Sequence, residues 1–311
     1  MKSDPKISVI IINWNGKRLL RDCLNSIERT EYSNFDVVVV DNGSNDGSVE
    51  MIRNEFQWAD VVLNEANLGF VKANNIGIKH ALKKGADYVF WLNNDTKILD
   101  KNWLKSLVQV AESDSRIGIV GCKLVFPSGK VQSAGGYLDY RSFHHYTDGY
   151  RTAKVDYVVG AAFLVKREVI NKIGLIDEEF SPGNFEELDY CMRARAAGYW
   201  TVYTPRVVIV HIAGATFGKT TWPTPATYKN GIRFYILNYP ASWIMSANLF
   251  IILSVFFERK DERYRMGPRN IRLKEDWVLR IKSLINAYLV NILNSPKILH
   301  KRHNRMEKVW N

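Results

Sequence analysis

The chain is poor in cysteine and lacks two nucleotide-binding motifs common in α/β proteins. Cys23, Cys122 and Cys191 are the only cysteines in 311 residues, and no two form a Cys-x-x-Cys pair. This spacing argues against a disulfide framework or a cysteine zinc site and suits a reducing compartment. No Gly-x-Gly-x-x-Gly follows the first apolar run, and no Gly-x-x-x-x-Gly-Lys-Ser/Thr loop occurs. A dinucleotide dehydrogenase or a P-loop NTPase is therefore disfavoured, and any nucleotide must be held by side chains.

The net positive charge is small outside the C-terminal part of the chain. The net charge is +11, and residues 258–311 hold 14 Lys and Arg against 6 Asp and Glu, which leaves +3 for the first 257 residues. A basic end of this kind favours an anionic membrane or a nucleic acid as partner. Long apolar runs interrupt it, so we expect no nucleic-acid partner. The first twelve residues do not match a secretory leader, because their apolar run is too short.

Apolar strand-like runs alternate with segments of helical period along the first two thirds of the chain. Strands are predicted at residues 7–12, 35–40, 61–63, 87–92, 117–121, 158–165 and 207–211. Apolar residues at helical spacing predict helices between the earlier strands. This alternation predicts right-handed βαβ units in a mostly parallel central sheet flanked by helices. Residues 135–151 are rich in Tyr, His, Asp and Gly, and are interpreted as a functional lid or, alternatively, a plain surface loop.

Polar side chains cluster where predicted strands end. Asn93, Asn94 and Asp95 follow the strand at 87–92, and ligands of open α/β sheets bind outside such carboxyl ends. A carboxylate beside two amides can hold Mg²⁺ or Mn²⁺ together with a phosphate. The alternative is ordinary turn and N-cap chemistry. Gly160 interrupts the strand at 158–165, and a small residue there can mark close approach of a ligand.

Three acidic residues lie at the start of a predicted helix, and a histidine lies at the end of a predicted strand. Glu186, Glu187 and Asp189 stand within four residues at a predicted helix start. A helix dipole tolerates acids there, and the functional alternative is a general base whose pKa is tuned by like charge and burial. His211 ends the last predicted strand, where a lone histidine is usually just a polar terminus.

Four segments in this order resemble family 2 glycosyltransferases of the GT-A fold, especially their rhamnosyltransferase-like branch. They are residues 39–44, residues 67–77, residues 92–95, and residues 185–195 with His211. The resemblance covers roughly residues 6 to 220. It implies a UDP-, GDP- or dTDP-sugar donor, a divalent cation (Mn²⁺ or Mg²⁺) and inversion at the anomeric carbon.

The resemblance also assigns roles to individual residues. Asp95 stands at the second acidic position of the family's Asp-x-Asp and would bind the metal with His211, while the first acidic position is an amide here. Glu187 falls where the family often has an aspartate base, with Glu186 and Asp189 as alternatives. The remaining assignments concern the donor: Asp41 for the nucleobase, Asn13 and Asn15 for the same pocket, and Asn67, Gly69 and Asn74 for the nucleoside or diphosphate. From the positions described above, Asn93, Asn94 and Gly160 are also expected to contact the donor.

The C-terminal region, residues 229–311, is expected to be helical, basic and membrane-associated, and residues 1–228 to form the GT-A catalytic domain. Residues 234–257 carry no charge and reach the length of a bilayer span, but Pro240 and several polar residues make the span poor. The positive-inside rule also disfavours a single crossing. We expect these helices to lie on the cytoplasmic face of the cell membrane. A packed helical subdomain, a homodimer interface and a spanning hairpin are the alternatives.

The sequence thus favours an enzyme that elongates a lipid-linked or cell-surface glycan. A sugar-phosphate nucleotidyltransferase is the second possibility, although it would want a Gly-rich loop after the first strand. A non-catalytic sugar-nucleotide or glycan-binding scaffold is the third, but a binding module needs no base.

Overall fold

A computed structural model describes residues 4–138, 143–145, 149–212, 225–256 and 277–310. The predicted lid at 135–151 lies partly outside these residues, and the basic segment 258–276 lies entirely outside them. The strands are β1 (Ile7–Asn13), β2 (Phe35–Asp41), β3 (Asp60–Leu63), β4 (Tyr88–Asn93), β5 (Thr96–Ile98), β6 (Ile117–Val125), β7 (Val131–Ser133), β8 (Gly136–Leu138), β9 (Phe143–His145), β10 (Ala153–Val155), β11 (Ala162–Lys166) and β12 (Trp200–His211). The α-helices are α1 (Lys17–Ile27), α2 (Ser48–Glu55), α3 (Phe70–Lys83), α4 (Trp103–Ala111), α5 (Arg167–Ile173), α6 (Glu186–Ala196), α7 (Pro225–Asn238), α8 (Ala241–Phe256), α9 (Trp277–Leu293) and α10 (Ser295–Trp310).

The N-terminal half forms the parallel strands and helices that its sequence predicts. Strands β3, β2, β1 and β4 lie side by side in that order and run parallel. Ile11 packs into one apolar cluster while its neighbour Ile10 packs into the other, so β1 is buried on both faces. Burial on both faces explains the unbroken apolar run. The parallel arrangement places Asn13, Asp41 and Asn93 at one edge of the sheet.

The second half of the sheet corrects the prediction of a mostly parallel sheet. The full order is β10-β12-β6-β11-β4-β1-β2-β3, and β11 runs antiparallel to both β4 and β6. Strand β12 is parallel to β6 but antiparallel to β5 and β10. No α-helix of the described residues lies between β6 and β11, and parallel pairing of successive strands needs a crossover of a dozen or more residues, usually a helix. Strands joined without a helix therefore enter the sheet in the opposite direction.

The strand predicted at 158–165 begins later, at Ala162. Val158 packs against the backbone of Gly121 in β6, so closely that a Cβ on Gly121 would lie 2.4 Å from the Val158 Cβ. Residues 158–161 are not in a strand, although the carbonyl of Ala161 accepts from the backbone N–H of Asn93 in β4. The predicted loop at 135–151 contains β8 and β9, which form a small two-stranded sheet.

Helix α6 is fixed to the sheet by aromatic packing. The ring of Trp91 on β4 stacks on Phe163 of β11 with centroids 4.4 Å apart, and Tyr190 of α6 meets Trp91 edge-on at 5.2 Å. All three side chains are buried. This contact holds the start of α6 near the end of β4.

The C-terminal helices pack on residues 177–189 through charged side chains. Lys301 pairs with Asp177 at 2.8 Å, Arg305 pairs with Asp177 and Asp189, and Arg233 pairs with Glu179 at 2.9 Å. The predicted division between residues 228 and 229 falls inside α7, because this helix begins at Pro225, a residue favoured in a first helical turn. Within the described ranges no helix has both the length and the apolar character that a membrane crossing needs.

Candidate active site

A chain of polar side chains joins the ends of β1, β2 and β4. Asn94 Nδ2 donates to Asn13 Oδ1 at 3.0 Å, and Asn13 Nδ2 donates to Asp41 Oδ1 at 3.0 Å and to Ser44 Oγ at 3.2 Å. The backbone N–H of Ser44 donates to Asp41 Oδ2 at 2.8 Å. Gly16 permits this close approach, because a Cβ there would lie 2.5 Å from Asn94 Nδ2. The structure thus brings together three predicted donor-binding residues whose chain positions span eighty residues.

The remaining predicted donor residues line the neighbouring loops. Asn15 has a φ of +49°, and its backbone N–H donates to Ser44 Oγ at 2.9 Å. Asn67 Oδ1 accepts from the backbone N–H of Gly69 at 2.9 Å, which fixes the turn before α3. Asn74 is buried, and its Nδ2 donates to the carbonyl of Phe70 at 2.9 Å within the same helix. Asn67 is exposed and free to meet a ligand, whereas Asn74 is enclosed.

Asp95 and His211 meet at the adjoining end of the sheet, as predicted for a metal pair. Strand β5 carries Thr96 opposite His211, so Asp95 Oδ1 lies 3.2 Å from His211 Nε2. Asn93 Nδ2 lies 3.4 Å from the same nitrogen. On its other side, His211 Nδ1 lies 2.9 Å from Oε1 of Gln132. An amide oxygen accepts, so Nδ1 donates to Gln132, and this hydrogen bond orients Nε2 towards Asp95.

This pair fits a divalent cation. Both a carboxylate oxygen and the Nε2 of a neutral imidazole are cation ligands, and here they lie 3.2 Å apart. Two ligands about 2.1 Å from an octahedral cation, at right angles, would be about 3.0 Å apart. A histidine that binds a metal usually donates its other ring N–H to a neighbouring acceptor, as His211 does to Gln132. Among the described residues no three or more His, Cys, Asp or Glu side chains are grouped so that they could hold a metal ion, so a bound donor would have to supply further ligands.

Glu187 lies beside this group through a short loop. The carbonyl of Ala161 accepts from the backbone N–H of Asn93 at 3.0 Å. The preceding residue, Gly160, abuts Glu187, since a Cβ on Gly160 would lie 3.4 Å from the Glu187 Cβ and 4.0 Å from its Cδ. Gly160 therefore makes room for the acidic side chain next to the Asn93–Asp95 segment.

The three acids of α6 differ in their electrostatic surroundings. Burial raises the pKa of Glu187 to about 7. Burial, together with the charge of Glu187, raises the pKa of Glu186 well above its ordinary value. Burial opposes ionisation of Asp189 too, but Arg305 and Arg193 outweigh it and lower the pKa of Asp189. Asp189 is fully buried between these two arginines and Asn238, so it stabilises the packing of the C-terminal helices. Glu186 and Glu187 each have a buried Oε2 without a hydrogen-bond partner in the described structure.

The sequence did not single out Gln132 or Ser44 as site residues. Gln132 lies in a three-residue strand with no distinctive motif, and it reaches His211 because β7 pairs with β6, the neighbour of β12. Ser44 belongs to a recognisable segment after β2, and its hydroxyl accepts from both Asn13 and Asn15. The position of Ser44, three residues after Asp41 at the end of β2, was the one feature of the sequence that could have identified it as a site residue.

Replacement of Asp41 by alanine is expected to raise the donor KM by about 10- to 100-fold with a smaller effect on kcat. A hydrogen bond to a charged group contributes about 1.5–3 kcal/mol, and this bond would act equally in ground and transition states. Initial rates over a range of donor concentrations measure the change. Asp46→Ala is the matched control, because Asp46 lies in the same loop and accepts from the backbone N–H groups of Lys17 and Ser48. Equal KM values for Asp41→Ala and wild type would exclude the contact.

Comparison with known structures and sequences defines the class of protein. The fold superposes on the crystal structure of GalNAc-T7 with UDP, GalNAc and Mn²⁺ with a TM-score of 0.62 and 18% identity, over 76% of this chain and 48% of that one. A mixed sheet of this order, with polar groups at the carboxyl ends of its parallel strands, is the GT-A fold of a glycosyltransferase. The family model described as Glycosyl transferase family 2 matches residues 8–174, just over half of the chain. The chain belongs to this family.

Two named relatives are similar to this chain in sequence. The O-antigen biosynthesis protein RfbC of Myxococcus xanthus is 27% identical over 70% of this chain and 18% of its own length. The dTDP-rhamnosyl transferase RfbF of Shigella flexneri is 24% identical over 68% of this chain and 70% of its own length. The chain spans about a quarter or less of the length of the first curated relatives that it matches.

Proposed function

We propose that this protein is an inverting, metal-dependent glycosyltransferase that moves a sugar from a nucleotide-diphospho-sugar to a hydroxyl group of a lipid-linked or cell-surface glycan. The observation that carries the proposal is the juxtaposition at the end of β4. There Glu187 abuts Gly160, whose neighbour Ala161 is hydrogen-bonded to Asn93, two residues before Asp95. Single displacement at an anomeric carbon requires a general base next to the residues that hold the cation. The dTDP and UDP in the names of similar proteins support a nucleotide donor.

In the proposed reaction Glu187 accepts the proton of the acceptor hydroxyl as its oxygen attacks the anomeric carbon. The bond from that carbon to the diphosphate oxygen breaks, and the nucleoside diphosphate departs from the opposite face. Asp95 and His211, with Asn93, would hold a Mn²⁺ or Mg²⁺ ion that supplies positive charge for the departing diphosphate. Asp41, Asn13 and Asn94 orient the donor, so that the two substrates meet in line.

A panel of donors tests the proposal directly. Thermal shifts with UDP-, GDP- and dTDP-sugars, each with and without Mn²⁺, identify the nucleotide. Hydrolysis or transfer of the stabilising donor, and the anomeric configuration of the product by NMR, then test chemistry and inversion. Stabilisation without Mn²⁺-dependent turnover would contradict the enzymatic mechanism, and a retained anomeric configuration would contradict single displacement.

The same proposal includes attachment to the cytoplasmic face of an anionic membrane. Helices α8 and α9 contact each other, where Tyr288 Oη donates to Asn248 Oδ1 at 2.8 Å. They expose a set of large apolar side chains at helical spacing: Met245, Leu249 and Ile252 on α8, and Ile285, Leu289, Ile292 and Leu293 on α9. Basic residues are concentrated in the same region of the sequence, and each one near an anionic surface contributes about 1 kcal/mol. Apolar area with basic flanks is the pattern of an interfacial helix.

Substitution of Leu249 or Leu289 by glutamate is expected to lower the partition of the protein onto anionic liposomes by at least about tenfold, because inserting one leucine contributes about 1.5–3 kcal/mol. Sedimentation with phosphatidylglycerol vesicles measures it. Leu99→Glu is the matched control, since Leu99 is 58% exposed, like Leu249 at 58% and Leu289 at 53%, but lies on the catalytic domain. Point variants are preferable to deletion, because deletion would also remove Arg233 and Arg305 from their acidic partners.

Two results would contradict membrane attachment. Wild-type protein that stays in the supernatant at low salt excludes a lipid partner. Loss of a homodimer in light scattering of the glutamate variants, with no change in lipid binding, would assign the apolar surface to self-association.

A further inference from the structure

The turn before α6 has an unusual backbone. Asn184 and Phe185 have φ values of +77° and +73°, both in the left-handed region. Two consecutive non-glycine residues seldom adopt this conformation, and a bulky residue such as Phe185 almost never does. Such a conformation persists where its surroundings hold it. Glu186 and Glu187 follow immediately, so the turn sets the position of both carboxylates.

Helix α7 holds this turn through Asn230. Its Nδ2 lies within hydrogen-bond distance of three backbone carbonyls, at 2.6 Å from Phe180 O, 2.9 Å from Gly183 O and 3.0 Å from Asn184 O. The Asn230 side chain is fully buried. Carbonyl groups of an irregular buried turn need donors from outside the turn, and here one amide supplies them.

The next residue, Gly231, receives the aromatic ring of the turn. A Cβ on Gly231 would lie 3.1 Å from Cζ of Phe185, so even an alanine would press on the ring. Phe234, one turn further along α7, packs against the same ring with centroids 5.7 Å apart. Asn230, Gly231 and Phe234 of α7 therefore form the surface against which the turn packs.

The opposite side of the turn rests on the start of α3. The backbone N–H of Phe70 donates to the Pro182 carbonyl at 2.9 Å, and a Cβ on Gly69 would lie 3.2 Å from the Pro182 Cα. Gly69 belongs to the predicted diphosphate region. The turn thus packs between the start of α3 and helix α7. In the described part of the chain, Oε2 of Glu186 and Oε2 of Glu187 have no hydrogen-bond partner.

We propose that Asn230 and Gly231 are positioning residues for catalysis, which hold the left-handed turn that aims Glu187 at the acceptor hydroxyl. The proposal rests on the proposed function and deepens it, because it gives α7 a part in catalysis that is separate from any contact with lipid. Neither residue touches the reacting atoms. Both act through the backbone of residues 183–185.

Asn230→Ala and Gly231→Ala test the proposal from two directions. The first removes the donor to the carbonyls, and the second keeps that donor but displaces Phe185, while alanine favours the helix of α7. We expect both variants to lower kcat at least about tenfold and to change the donor KM by less than about twofold. We expect the acidic limb of the kcat–pH profile to move to lower pH, because a loosened turn admits water to Glu187 and relieves the effect of burial.

Asn248→Ala is the matched control, because Asn248 is an amide of α8 whose bonds go to Tyr288 and Ile244 and not to the turn. Hydrogen exchange supplies a readout that does not need activity: amides of residues 184–189 should exchange at least about tenfold faster in Asn230→Ala than in Asn248→Ala. If Asn230→Ala fails to fold, Gly231→Ala decides. Unchanged exchange, or loss of kcat no greater than in Asn248→Ala, overturns the proposal. A wild-type protein that transfers no sugar would overturn the proposed function instead. Hydrogen exchange would still test whether Asn230 holds the turn.

Discussion

Replacement of Glu187 by glutamine is expected to lower kcat by at least about 10²-fold while the donor KM stays within about twofold. Glutamine keeps the shape of the side chain, so Gly160 still accommodates it, but the amide cannot accept a proton at neutral pH. The residues proposed to bind the donor, Asp41, Asn13 and Asn94, lie on other elements. Steady-state kinetics with donor and acceptor varied separately measures the change.

Glu186→Gln and Asp189→Asn are the controls within the same helix turn. Burial and the neighbouring carboxylate raise the pKa of Glu186 well above its ordinary value and so favour the protonated form, which glutamine resembles. Most of the activity should therefore remain in Glu186→Gln. Asp189→Asn removes a charge that pairs with Arg193 at 2.9 Å and with Arg305. It should reduce thermal stability more than kcat at a temperature where the variant is folded. If Glu186→Gln is the inactive variant, the base is Glu186 and the assignment to Glu187 is wrong.

The pH dependence follows from the same carboxylate. Because burial raises the pKa of Glu187 to about 7, kcat should rise as pH increases through about 7, and Glu187→Gln should lack this limb. The contribution of Glu187 to stability is fully present below its ordinary pKa of 4.5 and is lost as pH rises through about 7. Glu187→Gln should therefore gain stability relative to wild type at pH 8 more than at pH 5, which chemical denaturation at the two pH values measures.

The N-terminal half of the fold could be predicted from sequence because its signals are local. The apolar run of β1 and the spacing of Leu20, Leu24 and Ile27 in α1 report burial directly, and parallel strands bring their carboxyl ends to one edge. Asp95 and His211 came together as predicted. The family model and the named relatives confirm the predicted membership of family 2.

Contacts between distant segments could not be predicted. Gln132 reaches His211 across β6, and Asn230 reaches Gly183 from a helix that begins far along the chain, so no local pattern marks either residue. The charge of the C-terminal region was equally ambiguous. A count of lysines and arginines does not distinguish one that faces lipid from Arg305, which pairs with buried Asp189. Part of the basic charge therefore stabilises the loop and helix that carry the acidic residues.

Replacement of Asp95 by alanine is expected to abolish transfer, with a loss of at least about 10³-fold, and to remove the Mn²⁺ dependence of donor binding. Asn93 is neutral, so Asp95 provides the negative charge of the pair that it forms with His211, and it is only 5% exposed. Stabilisation of a departing diphosphate by a bound cation contributes several kcal/mol, which sets the size of the loss. Asp95→Asn should behave almost as Asp95→Ala, because charge and not shape is required.

Metal binding provides a readout separate from turnover. Calorimetric titration of Mn²⁺ into protein saturated with nucleoside diphosphate should give at least about tenfold weaker binding in both Asp95 variants. Asp100→Ala is the matched control, since Asp100 follows the same segment and accepts only from the backbone N–H of Asn102 at 2.9 Å among the described contacts. Its Mn²⁺ affinity and kcat should match those of wild type. Wild-type Mn²⁺ affinity in Asp95→Ala would show that the cation, if the enzyme uses one, is held elsewhere, and the pairing of Asp95 with His211 would then be a structural ion pair.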